Sequence, residues 1–132
     1  MKLNKIIFIL VAVLLTIGLL VSCGGGNTIQ DKEKIGDVIR NYVASYNASN
    51  FEETVSYFTG YADRQDAMDY LAFLKSMSGN LTLVNFDRDS VAIIGNTARV
   101  PVDFIIMGEL SSQWINLKKE NSNSNWKILW EQ

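Results

Sequence analysis

Few side chains in this sequence are of the types that do chemistry. The chain of 132 residues has one cysteine and no histidine, so it lacks the side chain that most often serves as a general base and as a metal ligand. Its remaining acid–base groups are carboxylates and five tyrosines: Tyr42, Tyr46, Tyr57, Tyr61 and Tyr70. A tyrosine and a carboxylate can share acid–base work only where a desolvated pocket raises the pKa of the carboxyl group.

The carboxylate considered for such a role is Asp103, which lies in a segment that alternates between apolar and polar residues. The alternation places Asp103 opposite Val100, Val102 and Phe104, so we expect it to face solvent or an interface. The tyrosines, at helical spacing, are interpreted as amphipathic core residues with the hydroxyl at the rim. We therefore predict no catalytic residue.

The N-terminal segment ends in the single cysteine. Two lysines, Lys2 and Lys5, precede an apolar run that continues to Val21 and stops before Cys23. A basic start, an apolar centre and a small residue before the cleavage point are typical of a secretory signal peptide, and the run is short for a membrane span. Its last four residues, Leu20–Cys23, resemble the bacterial lipobox. The alternative that this segment leaves open is an uncleaved transmembrane anchor.

The lipobox resemblance implies that a lipid on Cys23 attaches the protein to a membrane. The location would be extracytoplasmic, at the cell membrane or the outer membrane of a bacterium. Proteins of this kind carry two or three acyl chains, and a single chain would bind a membrane only marginally. The glycine-rich tether that follows, 24–27, is short, so we expect the folded domain to lie close to the bilayer.

The chain thus divides into a signal peptide at residues 1–22, the lipidated cysteine with its tether at 23–28, and one domain at 29–132. The formal charge of the whole chain is −2, and removal of Lys2 and Lys5 makes the remainder more acidic. An acidic domain argues against nucleic acid as a partner.

The acidic residues give no predicted metal site. Without histidine, and with the cysteine lipidated, only oxygen ligands remain, which suit Ca²⁺ or Mg²⁺. Asp63, Asp66 and Asp69 fit the solvated start of a helix, and the segment 87–89, Asp-Arg-Asp, fits a turn. No metal and no other cofactor is predicted.

The first half of the domain has the apolar spacing of helices. Apolar residues at steps of three and four predict a helix over about 29–46. Asn50, with Glu53 three residues later, is a capping signature for a short helix over 51–58. A third helix is predicted over about 63–77.

In the second half the apolar period changes to two, which indicates strands. Gly95-Asn96 is expected as a two-residue hairpin turn, and Gly108-Glu109 as a second turn. The predicted strands cover 81–86, 90–94, 97–107, 110–119 and 126–131.

Three helices followed by such strands predict an α+β fold, with three N-terminal helices packed on a curved sheet of four to five antiparallel strands. The order resembles the NTF2-like domains (SnoaL-like, cystatin-like superfamily) of many small exported bacterial proteins. The segments that carry the resemblance are 42–58, YVASYNASNFEETVSYF, then 90–102, SVAIIGNTARVPV, and 125–129, NWKIL. The resemblance covers about 29–131 and implies a cone-shaped cavity between helices and sheet.

Three classes of function follow from this resemblance. The first is a lipid-anchored, non-catalytic module that binds a small apolar ligand, a peptide or an envelope partner. The second is a structural or dimerising accessory lipoprotein without a ligand, and the third is a Tyr/Asp enzyme of the isomerase or dehydratase type. The absent histidine and the lack of a buried carboxylate favour the first two. The expected pocket-lining residues are Tyr42, Tyr46, Phe58, Tyr70 and Phe104.

The outer face of the strand 97–107 is half apolar, because Arg99 and Asp103 share it with Pro101, Ile105 and Met107. An apolar patch of this kind is typical of an interaction surface. Proteins that resemble NTF2 often pair sheet to sheet through this surface, which implies a homodimer through the Arg99–Met107 face. The alternative is that a loop of the same chain covers the patch.

Overall fold

A computed structural model describes residues 28–131, so Cys23 and the predicted signal peptide lie outside the described residues. Within this range the chain is α+β and combines helices with a mixed, open sheet of six strands. No helix of the described range is long and apolar enough to cross a membrane. The helices are α1 (Thr28–Asn47), α2 (Phe51–Ser56) and α3 (Arg64–Ser78).

Side-chain caps begin the second and third helices. The Asn50 side chain accepts a hydrogen bond from the backbone N–H of Glu53, as the sequence signature predicts. The Asp63 carboxylate accepts one from the N–H of Asp66 at the start of α3. These caps satisfy backbone donors that have no partner within the helix.

Helix α1 presents one face to the sheet, and Ile35 and Ile39 on that face are fully buried. Gly36 lies beside them, and a Cβ atom at this position would be 2.8 Å from Cε1 of Phe86. Because glycine has no side chain, α1 can approach Phe86 of the sheet closely at this point.

The sheet has the strand order β1-β6-β5-β4-β2, and β3 also pairs with β4. A short 3₁₀ helix, Arg88–Ser90, connects the second and third strands. The strands are β1 (Phe58–Thr59), β2 (Leu81–Phe86), β3 (Ala92–Ile94), β4 (Thr97–Ile106), β5 (Glu109–Lys118) and β6 (Lys127–Leu129).

The expected antiparallel sheet of four to five strands was wrong in one respect, because β1 pairs in parallel with β6 and adds a sixth strand. Phe58 and Thr59 were expected to lie in or next to the second helix, but α2 ends at Ser56. The backbone N–H of Ile128 donates to the carbonyl of Tyr57 at 2.8 Å, and that of Trp130 donates to Thr59 at 2.8 Å. The last strand thereby finds partners for its outer backbone groups.

Two-residue turns join β3 to β4 and β4 to β5. Gly95 has φ +58°, as a type II′ hairpin turn requires at its first position. The second turn consists of Met107 (φ +54°) and Gly108 (φ +81°), the type I′ pattern. Met107 therefore belongs to the turn, and its assignment to the outer face of the strand was wrong.

The predicted alternation along β4 is confirmed. Val100, Val102 and Phe104 are buried, with exposed fractions of 0%, 1% and 3%. Ile105, the residue after Phe104, points to the other face and is 37% exposed. The inner face of β4 therefore belongs to the core, and the outer face meets solvent in the described chain.

Candidate ligand cavity

The space between the helices and the sheet is filled on one side and hollow on the other. Beneath α1, Ile35 and Ile39 join Val100, Val102 and Leu117 in a closed core in which each side chain is at most 1% exposed. Further along the sheet, where α3 faces β5 and β6, a cavity of about 270 Å³ remains. This size is near the lower end of the range for small-molecule sites.

Aromatic side chains form one wall of the cavity. The ring of Phe58 lies 5.2 Å from that of Tyr42 at an angle of 89°, and 5.3 Å from that of Trp130 at 78°. Tyr70 lies 5.7 Å from Trp130 at 69°. Because neighbouring rings are steeply inclined to one another, they make edge-to-face contacts along this wall.

Aliphatic side chains from α3 and the inner face of the sheet complete the apolar part of the lining. Leu71 is 3% exposed, and Phe104, one of the residues expected from the sequence, is also 3% exposed. The other apolar lining residues of the sheet and α3 are Leu74, Trp114, Ile115, Ile128 and Leu129.

Polar groups enter the cavity from β5 and the segment after β6. Gln113, Asn116 and Glu131 are among the lining residues, and Nδ2 of Asn116 donates a hydrogen bond to Oε1 of Glu131 at 2.8 Å. Gln113 and Glu131 are exposed, so the polar groups mark the opening to solvent. Glu131 is the only charged residue of the lining.

The Tyr42 hydroxyl is in a desolvated position. Burial raises its pKa well above the ordinary value for tyrosine, and the neighbouring Tyr46 phenol adds to the shift. Because the charged form is disfavoured, Tyr42 stays neutral and can act as a hydrogen-bond donor across the physiological pH range.

The structure brings together Tyr42, Phe58, Tyr70 and Phe104 of the expected pocket residues and places Tyr46 outside the lining. Tyr46 is 2% exposed. Its ring lies 6.1 Å from Tyr42 and 6.2 Å from Phe51, and burial raises its pKa. Tyr46 therefore packs against Tyr42 of the aromatic wall but does not itself line the cavity.

Asp103 lies on the outer face of the sheet, away from the cavity. Its Oδ1 accepts a hydrogen bond from the Ser112 hydroxyl at 2.7 Å, and Ser112 is its direct partner across the β4–β5 ladder. The buried tyrosine hydroxyl at Tyr42 and this carboxylate are therefore on opposite sides of the sheet.

The other acidic segments have local roles. The carboxylate of Asp87 accepts hydrogen bonds from the Ser90 hydroxyl and from the backbone N–H of Asp89. These bonds, with the Ser90 bond as the larger cause, lower the pKa of Asp87. Within residues 28–131 no group of three or more His, Cys, Asp or Glu side chains is placed to hold a metal ion.

Trp130 lines the cavity and contacts three of its neighbouring aromatic rings, but it was not among the expected pocket residues. Alternation had placed it on one side of the last strand with Trp126 and Ile128, which was the available signal. Its partners could not be predicted, because Phe58 reaches Trp130 only through the parallel β1–β6 pairing.

A second surface lies on the outer face of the sheet. Leu110 is 66% exposed beside its ladder partner Ile105, and Trp114, which also lines the cavity, is 55% exposed further along β5. The Arg99 guanidinium lies 4.4 Å from the centre of the Trp114 ring, which is a cation–π contact.

No family model and no curated protein matches this chain. Among solved structures it is similar to Bd1075 of Bdellovibrio bacteriovorus, with a TM-score of 0.50 and 10% sequence identity. The similarity covers 73% of this chain, which spans 38% of the length of the Bdellovibrio protein. At this identity the likeness concerns the fold alone.

Proposed function

We propose that this chain is a lipid-anchored, extracytoplasmic binding module of the NTF2-like type. In this proposal its three helices and its curved sheet form a cone that holds a small, mostly apolar ligand. The module is anchored through Cys23 and has no catalytic activity of its own.

The observation that supports this function is the 270 Å³ cavity between α3 and the sheet. Its walls are aromatic and aliphatic, and a few polar groups meet at its opening, the arrangement that small-molecule sites share. The core beneath α1 is closed, so this cavity lies beside the packed core and has a defined lining.

The chemistry of the lining favours binding over catalysis. A Tyr/Asp enzyme needs a tyrosine hydroxyl and a carboxylate that converge on one substrate atom. Tyr42 lies in the cavity, but Asp103 lies on the opposite side of the sheet and is hydrogen-bonded to Ser112. The only lining carboxylate, Glu131, is exposed at the opening and accepts a hydrogen bond from Asn116.

A second candidate function, a dimerising accessory protein, is favoured by the outer sheet face. Ile105 and Leu110, partners across the β4–β5 ladder, form an exposed apolar patch there, and Trp114 lies further along the same face, beyond the Asp103–Ser112 pair and beside Arg99. A second copy of the chain packed on this face would cover the patch, and Trp114, which also lines the cavity, would then lie between the interface and the cavity.

Cavity filling tests the binding function. In residues 24–132, Leu74→Trp places a larger side chain in the lining, whereas Phe73→Trp adds the same group at an exposed position of the same helix. We expect toluene to shift the NMR resonances of Tyr42, Tyr70 and the Trp130 indole in the wild type and in Phe73→Trp, but not in Leu74→Trp. Equal shifts in both variants would show that toluene binds elsewhere.

Metabolic labelling tests the anchor. A palmitate analogue should label the wild-type chain in a bacterial host, and Cys23→Ser should abolish the label and leave an unprocessed precursor. Labelling that is unchanged by Cys23→Ser would refute lipidation at this residue.

A further inference from the structure

The charged side chain that lines the cavity is acidic. Among its lining residues Glu131 is the only charged side chain, and no lysine or arginine contributes to the lining. The hydrogen bond from Asn116 holds the Glu131 carboxylate at the opening. The Arg99 guanidinium lies beside the cavity, 4.4 Å from the centre of the Trp114 ring of the lining. Within the lining itself, a cation would find the Glu131 carboxylate as a partner, whereas that carboxylate would repel an anion.

The aromatic wall suits the same charge. The face of an aromatic ring carries negative electrostatic potential, and a cation within about 6 Å of the ring centre is attracted to it, most strongly by tryptophan. Tyr42, Phe58, Tyr70 and Trp130 provide four rings around one small space.

The three tryptophans differ in a way that supports this interpretation. Arg99 lies 4.4 Å above the Trp114 ring, and Lys119 lies 4.8 Å above the Trp126 ring. Trp114 and Trp130 both line the cavity, but only Trp130 has no lysine or arginine over its ring in the described part of the chain. Phe58, Tyr61 and Tyr70 pack against Trp130, and the part of its ring that they leave uncovered lines the cavity, where a cation from outside the protein can reach it.

We infer that the cavity selects a small organic ammonium ion, a cation whose charge is surrounded by methyl or methylene groups. The aromatic wall would contact the alkyl groups and stabilise the charge, and Glu131 would pair with the cation at the opening. A metal ion fits this lining less well, because Glu131 is its only carboxylate ligand. The inference rests on the proposed binding function and specifies its ligand class.

A pair of probes of equal shape tests the inference. Choline and its neutral carbon isostere 3,3-dimethyl-1-butanol differ in the charge at one atom. With the full chain in a neutral maltoside detergent, at constant ionic strength, ligand-observed NMR titration should give at least about tenfold tighter binding of choline, since one or more cation–π contacts are worth about that factor.

Three variants of lining residues and one control variant test whether the preference for choline arises in the cavity. Glu131→Gln should lower choline affinity several-fold and leave the alcohol unchanged, while Glu109→Gln, at an exposed site at the start of β5, should change neither. Tyr42→Phe keeps the ring and should keep the preference. Trp130→Leu should reduce it at least about fivefold, and a matching circular dichroism spectrum and unfolding midpoint would show that this variant is folded.

The outcomes separate the two proposals. Equal binding of choline and the alcohol, abolished by Leu74→Trp, would overturn the cation assignment and leave the cavity as a site for neutral ligands. A choline preference that survives both Glu131→Gln and Trp130→Leu would also overturn it, because the cation would then bind elsewhere. Binding of neither probe would overturn it as well, and the toluene titration would still decide the binding function.

Discussion

At the scale of single residues, neighbours along β4 differ sharply in burial. Phe104 is 3% exposed on the inner face and Ile105 is 37% exposed on the outer face. Phe104→Ala should therefore lower the free energy of unfolding by about 3–5 kcal/mol, the usual cost of removing a buried aromatic ring. Ile105→Ala should cost clearly less in the monomer, as measured in denaturant melts. Equal losses for the two variants would contradict the assignment of the faces.

Tyr42 gives the protein a predictable response to alkaline pH. Its pKa is raised in the folded state by burial and by Tyr46, so above about pH 10 the unfolded chain loses this proton first. Stability is then lost as pH rises, by up to about 1.4 kcal/mol per pH unit for this residue. Below about pH 10 the residue contributes no pH dependence.

The measurement is a series of urea melts between about pH 8 and about pH 11. Tyr42→Phe should flatten the alkaline decline, because the ring stays in place and the titrating hydroxyl is removed. Tyr46 and Tyr57 also have raised pKa values, so some decline should persist in the variant. A decline of the same slope in wild type and variant would rule out Tyr42 as a contributor.

At the scale of elements, the β4–β5 turn contains an uncommon residue for its backbone. Met107 has φ +54° at the first position of a type I′ turn, where asparagine is preferred. Met107→Asn creates Asn-Gly and should stabilise the protein by roughly 0.5–1 kcal/mol. Met107→Val, with a β-branched side chain, should destabilise it. Thermal melts that show the same sign for both variants would contradict the turn assignment.

Periodic elements could be predicted from the sequence, and isolated pairings could not. The amphipathic repeats gave the three helical segments and the alternation along β4, and Asn50 and Asp63 marked two helix starts. The two residues of β1 have no period of their own, so their parallel pairing with β6 had no local signal. Met107 was assigned to the strand because only the structure reveals its positive φ.

The candidate cavity shows the same limit. Tyr42, Phe58, Tyr70 and Phe104 could be chosen because each lies on an apolar face of its own helix or strand. Which of these faces meet around a hollow depends on the distance between α3 and the sheet, which local sequence does not encode. Trp130 follows β6 and donates its backbone N–H to Thr59 of β1, a long-range pairing that no local pattern indicates. Tyr46 packs against Phe51 and lies outside the lining.

At the scale of the whole molecule, the outer face of the sheet determines the proposed assembly. A homodimer through this face would bury Ile105 and Trp114, which are exposed in one chain. Ile105→Glu would place a charge in the interface, so sedimentation of residues 24–132 should change from dimer to folded monomer. Glu109→Gln is a control that should leave the dimer intact. A wild-type monomer at tens of micromolar, a concentration at which specific interfaces of standard size associate, would end the dimer proposal.

The most direct test of the proposed binding function is native mass spectrometry of the full chain, purified from a bacterial envelope. The proposal predicts a bound small molecule that adds mass to the wild type and to Phe73→Trp, and that is absent from Leu74→Trp. A ligand retained in Leu74→Trp, or a wild-type chain that carries no small molecule and takes up none from an envelope extract, would contradict it.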